Sequence, residues 1–513
     1  NKRIIIVFII LSLAIFFRFY KIHDFMIFGM DQENEMLIVK NIVSGKHFPL
    51  IGLSSSDTGT YRGPLFLYLS VIPYILFHGN PIGGAVTASL LGVIVSLLIY
   101  KIGTKMFSSS VGLVGALIYS GSFLVAYYDR QFWNPTFISF LSLLIGFLCF
   151  EVVKKKSYLL SIILIILFGI STHAHLTILI FIPLIIWTLW QIRSKISIKR
   201  LLIILIFLFI TQLPLVIFDF RHNFLNSRAL VNSFMTTSNS KMNSNFPDRR
   251  DLFLSTLGRF IWVPPVSDFM VESGQCKEYL PLMKNQMLFG ISLLVFIFAC
   301  LIYRYYRDRF NAKFDGGLYI PVSLTLITLV FITFYNHQIF QYYFSFLFPW
   351  LSILLAWCIV MLWRQRWMKY IIFPALILYL SLNIFTLLTS KYSFSYKEKI
   401  DALSFASNKV KQASYSLEAL GECPRFGGQR YLAEYIIGTP IHSYMDSYFS
   451  WLYPETIKTD PKEFIVLLSM IEHHMSADLI EKWEKIKLQY ILNYNIVSQA
   501  RFDKIHVLIL SQK

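Results

Sequence analysis

The side chains of this chain that can do acid–base or anion-binding chemistry fall in short polar clusters between long apolar runs. The stretch FGMDQENEM (28–36) offers Asp31, Glu33 and Glu35. If it is helical, Asp31 and Glu35 share a face at i, i+4 and Glu33 points elsewhere. A carboxylate so placed can act as a general base or a metal ligand; the plain alternative is a solvated acidic loop. TYRGPLFLYL (60–69) puts Arg62 ahead of a Gly63-Pro64 turn, and Pro64 suits the first position of a helix. A guanidinium beside the free N–H groups of a helix start suits a phosphate, although an arginine at a lipid boundary can also simply reach for headgroups. AYYDRQFWNPT (126–136) adds Asp129, Arg130 and Asn134, with Tyr127, Tyr128 and Trp133 reading as an interfacial aromatic belt. GISTHAHLT (169–177) holds His173 and His175, whose side chains diverge on a helix, so a zinc pair on one helical face is not expected. Polar residues there either serve a site or bridge helices. IFDFRHNFLNSR (217–228) brings Asp219, Arg221 and His222, and YNHQIFQYYFSFLFP (335–349) brings Tyr342.

Composition dictates what must position these clusters. Of 513 residues, 56% are hydrophobic, 17% aromatic and only 15% charged, against about a quarter charged in a soluble protein. That excludes a disordered chain, a disulfide scaffold and an ordinary soluble enzyme, and specifies an integral membrane protein. Apolar runs able to span are expected at 4–20, 81–100, 111–128, 133–150, 158–174, 176–190, 201–218, 286–303, 318–335, 342–361 and 370–388, which is about eleven. Lys2-Arg3 ahead of the first run, with no small-residue cleavage site behind it, reads as a retained first span. The charge of +18 is a topology signal, not a nucleic-acid footprint. Basic clusters at Lys2-Arg3, Lys101/Lys105, Lys154-Lys155-Lys156, Arg193 to Arg200, Arg304 to Lys313 and Arg364 to Lys369 share one side if the N-terminus is cytoplasmic. The C-terminus is then outside. Residues 64–78 are too short to span and contain Pro73, so they read as a helix at the outer surface.

Residues 1–388 thus form a transmembrane module. Its first outer loop, 21–80, carries juxtamembrane helices near 32–45 and 64–78, and 219–285 is a polar outer loop. Residues 389–513 read as a small extracytoplasmic α/β domain with helices at 396–412 and 477–489 and strands at 462–470 and 504–511. Five cysteines without CxxC or Cys/His spacing argue against a zinc site or a disulfide framework, while Cys276 and Cys423, both in outer segments, leave one bridge open.

The order of these pieces resembles the GT-C membrane glycosyltransferases, specifically the glycosyltransferase family 39 branch of protein O-mannosyltransferases and the lipid A aminoarabinose transferase. Those proteins follow a first span with an Asp-Glu-type motif. A long outer loop then places a basic residue before a Pro-Pro-Leu or Gly-Pro-Leu juxtamembrane helix. Here these read Asp31-Gln32-Glu33 and Arg62-Gly63-Pro64-Leu65. The span 81–107 with KMFSS follows, and RQFWNP (130–135) is similar to the Arg-x-x-x-Asp/Asn stretch of the second outer loop. The resemblance covers 1–225 well, 330–350 loosely and the C-terminal region not at all. Two departures stand out: the acidic motif has Gln32 between its acids, and Asn134 stands where many relatives place an acid, with Asp129 as a substitute.

The resemblance implies an all-α polytopic GT-C fold of about eleven transmembrane helices with the α/β domain appended. It implies a transferase moving a hexosyl or pentosyl group, with inversion, from a polyprenyl-phosphate carrier to a glycan, lipid or protein acceptor. The reaction would occur on the outer face of a prokaryotic cytoplasmic (inner) membrane. Asp31 would be the general base, with Glu33 beside it as a second catalytic acid. Arg62 and Arg130 would hold the donor phosphate, and Asp129, Asn134, His173, His175, Arg221 and Tyr342 would line the substrate site. No cofactor follows with certainty; a divalent cation (Mg, Mn or Zn) on Asp31 and Asp129 stays open. Partners are the lipid-linked donor, the acceptor and membrane lipids, and no nucleic acid. The rival classes are a lipid-carrier flippase or transporter, although no internal symmetry or paired broken helices are seen, and a non-catalytic scaffold with the same fold.

Overall fold

A computed structural model of the chain describes residues 2–54, 59–235, 246–265, 284–307, 316–335, 337, 339–392, 394–411, 413–421, 427–448, 463–471 and 475–513. Every apolar run expected to span is helical in its described part. Helix α1 (Lys2–Phe19) is followed by the short α2 (Ile22–Phe25), then α3 (Met30–Val43) and α4 (Leu65–Leu76). Next come α5 (Ile82–Met106), α6 (Ser109–Gly121), α7 (Phe123–Tyr128), α8 (Ile138–Lys155), α9 (Tyr158–Ser171), α10 (Ile182–Gln191) and α11 (Ile198–Arg221). After α12 (Leu225–Met235) and α13 (Phe246–Ile261), the bundle closes with α14 (Lys284–Arg307), α15 (Tyr319–Phe334), α16 (Phe348–Trp363) and α17 (Lys369–Thr389). Among the described residues, 6 helices are long and apolar enough to cross a membrane, and the other expected spans are helical but shorter or more charged. This is a multi-pass membrane protein.

Local sequence sets the tight hairpins. Ser108, Ser157 and Ser197 stand ahead of α6, α9 and α11, where their hydroxyl oxygens accept from the N–H groups of Val111, Leu160 and Arg200. Lys156, in the left-handed region at φ 48, turns the chain between α8 and α9. In the bundle centre, Trp350 is fully buried against Gly146, where a Cβ would lie 2.2 Å from the indole ring. The indole N–H reaches Ser142 Oγ at 3.1 Å, so its polar edge is satisfied. The outer flanks remain apolar, as with Leu202, Ile206 and Phe209 on α11, because lipid is their solvent. At the bundle end away from the α/β unit, Glu151 accepts from Lys105 at 3.1 Å and Lys155 at 2.8 Å, tying α5 to α8.

The C-terminal unit comprises α18 (Tyr396–Val410), β1 (Tyr415–Leu420), α19 (Gln429–Ile436), β2 (His442–Ser443), β3 (Phe464–Ser469), α20 (Ala477–Asn493), β4 (Tyr494–Phe502) and β5 (Ile505–Gln512). The sheet order is β2-β1-β3-β5-β4, parallel from β2 through β3 and antiparallel beyond. Alternation along the strands divides the apolar residues. Leu417, Val466, Val507 and Ile509 pack on α18 and α19, while Ile465, Leu467, Leu508 and Leu510 pack under Trp483 and Tyr490 of α20. The first of these cores continues into Met26, Phe28, Met36 and Leu37, so α2 and α3 are built into the α/β unit.

Several expectations need correction. The stretch 219–285 is not only a polar loop, since it contains α12 and α13. Helix α13 buries Leu252, Phe253, Leu257 and Phe260 and crosses α14 where Gly258 and Gly290 meet. A Cβ on Gly258 would sit 1.9 Å from the Gln286 carbonyl oxygen, and one on Gly290 would sit 1.9 Å from that of Leu254. Hydropathy misses α13 because it also buries arginines: Arg249 Nε donates to the Ile332 carbonyl at 2.9 Å. The aromatic belt of 127–133 is mostly interior. Tyr127 is buried and stacks on Tyr392, and Tyr128 donates to Gln341 Oε1 at 2.9 Å. The Cys276–Cys423 pairing lies outside the described residues.

Candidate active site

Helix α3 presents the acidic motif. The Gly29 N–H donates to Gln32 Oε1 at 3.0 Å, closing the first turn. Helical spacing then sends Asp31 and Glu35 to one side and Glu33 to the other. Asp31 is exposed to solvent, with protein packed around its flanks. That surrounding protein raises its pKa, and Arg62 opposes the shift. Glu35 is buried, flanked on its inner side by Phe28, Met36, Phe66 and Phe132, and accepts a hydrogen bond from Asn134 Nδ2. Burial, with the neighbouring Asp31 charge, holds its pKa well above the usual carboxylate range. Burial thus favours the neutral form of Glu35, while Asp31 is the solvent-exposed acid of the pair.

Arg62 sits on a two-strand clip. Its N–H donates to the Leu53 carbonyl at 3.2 Å, and its own carbonyl accepts from Gly52 N–H at 2.8 Å. The preceding residue is gripped on both sides by one amide: Tyr61 N–H donates to Asn226 Oδ1 at 2.7 Å and Asn226 Nδ2 donates to the Tyr61 carbonyl at 3.2 Å. Asn226 is in turn fixed by Asp219, which accepts the Asn226 N–H at 2.7 Å and the Ser227 N–H at 3.1 Å. On the other flank, Gly63 lies against His173, and a Cβ there would come within 2.2 Å of the imidazole. Backbone and ring are thus fixed while the guanidinium makes no hydrogen bond or ion pair among the described residues. Its charge acts on Asp31, Glu35, His175 and Tyr342, so all five belong to one recess. His175 is buried, and burial followed by Arg62 pushes its pKa down, so it is a neutral imidazole. Tyr342 closes the wall, 4.6 Å from the Trp133 ring and 5.7 Å from the His175 ring, centroid to centroid.

Gly63→Ala tests this packing directly. The added methyl must displace His173 or the Arg62 turn, so turnover should fall by about tenfold or more. The double variant Gly63→Ala/His173→Ala should recover part of the loss, read as initial transfer rates.

Other sequence candidates are committed elsewhere. Glu33 is fully buried and turned into the C-terminal unit, where Gly428 and Tyr431 N–H groups donate to its carboxylate, each at 2.7 Å. Arg130 is not a free phosphate ligand: its guanidinium donates to the Phe17 and Arg18 carbonyls at the end of α1 and lies 4.5 Å over the Phe25 ring. Asp129 is ion-paired with Arg18 at 2.6 Å and touches the Tyr119 hydroxyl at 3.4 Å. The cation pair Asp31 with Asp129 therefore does not fit the residues present, and no group of three or more His, Cys, Asp or Glu side chains able to hold a metal occurs among the described residues. Arg221 is solvent-exposed at the end of α11 and is not brought to the recess by any described contact. The sequence alone gives Glu35, Gln131 and Asn226 no assigned role in the site. Gln131 pins the chain before α3, accepting from Ile27 N–H at 2.9 Å and donating to the Phe25 carbonyl at 2.9 Å. The only advance signal for either amide was its position in an already suspect polar cluster.

Residues 61–218 match the family model of dolichyl-phosphate-mannose-protein mannosyltransferases. The match begins at the Arg62 clip and ends beside Asp219. No curated protein matches the chain significantly. Among solved structures, ArnT from Cupriavidus metallidurans bound to undecaprenyl phosphate superposes with a TM-score of 0.61 at 10% identity, covering 99% of this chain and 97% of that one. The apo state of the same protein gives 0.59 at 11% identity, covering 98% and 97%. Superposition over nearly the whole of both chains shows that the helical bundle with its appended α/β unit has the GT-C fold.

Proposed function

We propose that this chain transfers a sugar from a polyprenyl-phosphate carrier to an acceptor hydroxyl at the outer face of a prokaryotic cytoplasmic membrane. The observation that carries this reading is the uncommitted Arg62 guanidinium beside the open Asp31 carboxylate in one recess of a membrane-embedded GT-C fold. The solved relative carries undecaprenyl phosphate and the matching family is described by dolichyl-phosphate-mannose, so both support a lipid phosphate as the donor's leaving group. A polyprenyl tail needs lipid and a sugar phosphate needs water and cations, which favours a site at the bundle's end.

The chemistry is one displacement. The acceptor O–H passes its proton to Asp31 as its oxygen bonds to the anomeric carbon. The bond from that carbon to the phosphate oxygen breaks, the electron pair leaves with the carrier, and configuration inverts. Arg62 stabilises the charge that grows on the departing phosphate. Burial turns Glu35 toward its neutral form and away from service as the base, and Asn134 and the neutral His175 offer hydrogen bonds to the sugar. Glu35→Gln, which fixes a neutral side chain of the same shape, should leave turnover within about threefold, whereas Glu35→Ala should not. Because the folded protein holds the Glu35 proton more tightly than the unfolded chain, the linked stability is complete below the ordinary carboxylate pKa and is lost as pH rises through the raised value. The melting temperature of Glu35→Gln should therefore fall less than wild type across that rise.

Incubating purified protein with a labelled polyprenyl-phosphate sugar in liposomes separates the classes. Sugar released or transferred supports the enzyme, translocation of the intact lipid supports a flippase, and neither supports a scaffold.

A further inference from the structure

Glu33 lies between the two acids of the recess in sequence and on the opposite side of the helix in space. Its carboxylate is fully buried and accepts from the Gly428 and Tyr431 N–H groups, each at 2.7 Å, at the start of α19. A second buried bridge runs beside it. Lys399 Nζ donates to the Phe28 carbonyl at 2.7 Å and to the Gly427 carbonyl at 2.8 Å, joining the residue that precedes α3 to the loop that precedes α19. The approach is so close that only glycine fits. A Cβ on Gly427 would lie 2.5 Å from the Met30 backbone, and one on Gly428, already at φ +89, would lie 2.3 Å from the Phe28 carbonyl oxygen. Upstream, Tyr396 N–H donates to the Met26 carbonyl at 3.0 Å; downstream, Lys40 pairs with Glu434. The C-terminal unit thus holds backbone or side chain at positions 26, 28, 30, 33 and 40, on both sides of Asp31.

From this we infer that Glu33 is a positioning residue through which the C-terminal unit sets the rotation of α3, so that Asp31 and Glu35 face Arg62. The unit is then part of the active site, not an accessory module. A rotation of one residue on an α-helix is about 100°, enough to turn Asp31 away from the guanidinium. The inference rests on the reading of Asp31 as base and Arg62 as phosphate partner, but it also has a consequence independent of turnover.

The test compares full-length wild type with Glu33→Gln, whose amide sets a donor against one of two backbone N–H groups. Hydrogen exchange needs no donor lipid. The first turn of α3 and residues 427–436 should exchange about tenfold faster in the variant, with the bundle helices unchanged. In transfer assays kcat should fall about tenfold or more, KM for the donor should change less, and the acid limb of the kcat–pH profile should move to higher pH as Asp31 loses the help of Arg62. Unchanged exchange in both segments overturns the inference whether or not transfer is detected. A kcat loss with an unshifted acid limb, matched by a fall in the fraction of folded protein, overturns it too, since that is what a merely structural role gives. Inactive wild type with the expected exchange pattern would instead count against the proposed function alone. Should Glu33→Gln not accumulate as folded protein, Glu33→Asp keeps the charge, withdraws it by one methylene and serves the same comparison.

Discussion

Replacing Asp31 with asparagine should cut transfer by about 10²- to 10⁴-fold, the range a positioned general base supplies, while leaving the protein folded and inserted. The substitution is nearly isosteric, and Asp31 makes no hydrogen bond among the described residues that the change would break. It removes a proton acceptor and little else. The pH profile carries the second part of the result. Wild-type turnover should fall on the acid side as Asp31 takes up a proton, at a pH above the ordinary carboxylate range, because the protein around it disfavours the anion more than Arg62 favours it. In Asp31→Asn that limb should vanish with the activity. Glu35→Gln is the internal control: burial already favours the neutral form of the neighbouring acid, so its amide should keep the limb and most of the rate. Full turnover by a well-folded Asp31→Asn enzyme removes Asp31 from the chemistry.

The contrast between Asp31 and Glu33 shows what a linear reading can and cannot reach. Helical geometry alone pairs Asp31 with Glu35 and separates Glu33, since i, i+4 neighbours share a face whatever the tertiary context. What Glu33 touches is another matter. Its partners Gly428 and Tyr431 follow about 400 residues later in the chain, in a unit with no motif of its own. A resemblance to a family motif therefore gave Glu33 a catalytic part that its burial does not support. Arg130 and Asp129 went astray for a related reason: charge beside a membrane reads as a site, yet both are satisfied by the end of α1, through its carbonyls and Arg18. The spans were legible because roughly 20 apolar residues have few other fates. Helix α13 was not, because buried arginines bonded to carbonyls lower its hydropathy to that of a loop. Strands β3 and β5 were visible as apolar runs; β4, an edge strand with alternating exposure, carries too little apolar signal to stand out.

Arg62→Ala should produce two linked effects that no other single change in the recess combines. Removing a preplaced charge at the point where a leaving phosphate gains charge should cost about 10²- to 10³-fold in kcat. The field of the same guanidinium holds the Asp31 and Glu35 pKa values down against burial, so its loss should also carry the acid limb of turnover to higher pH. Arg62→Lys should retain the limb, because a charge remains, but recover only part of the rate, because an ammonium cannot make the paired N–H contacts of a guanidinium with phosphate. Steady-state kinetics over donor concentration and pH separate the contributions. A rise in KM with kcat intact would mean that Arg62 binds donor and transition state equally, serving affinity and not the chemical step. A fall in kcat with no movement of the acid limb would mean that the guanidinium acts on phosphate from a distance at which Asp31 does not feel it, and the shared recess on which the mechanism depends would have to be given up.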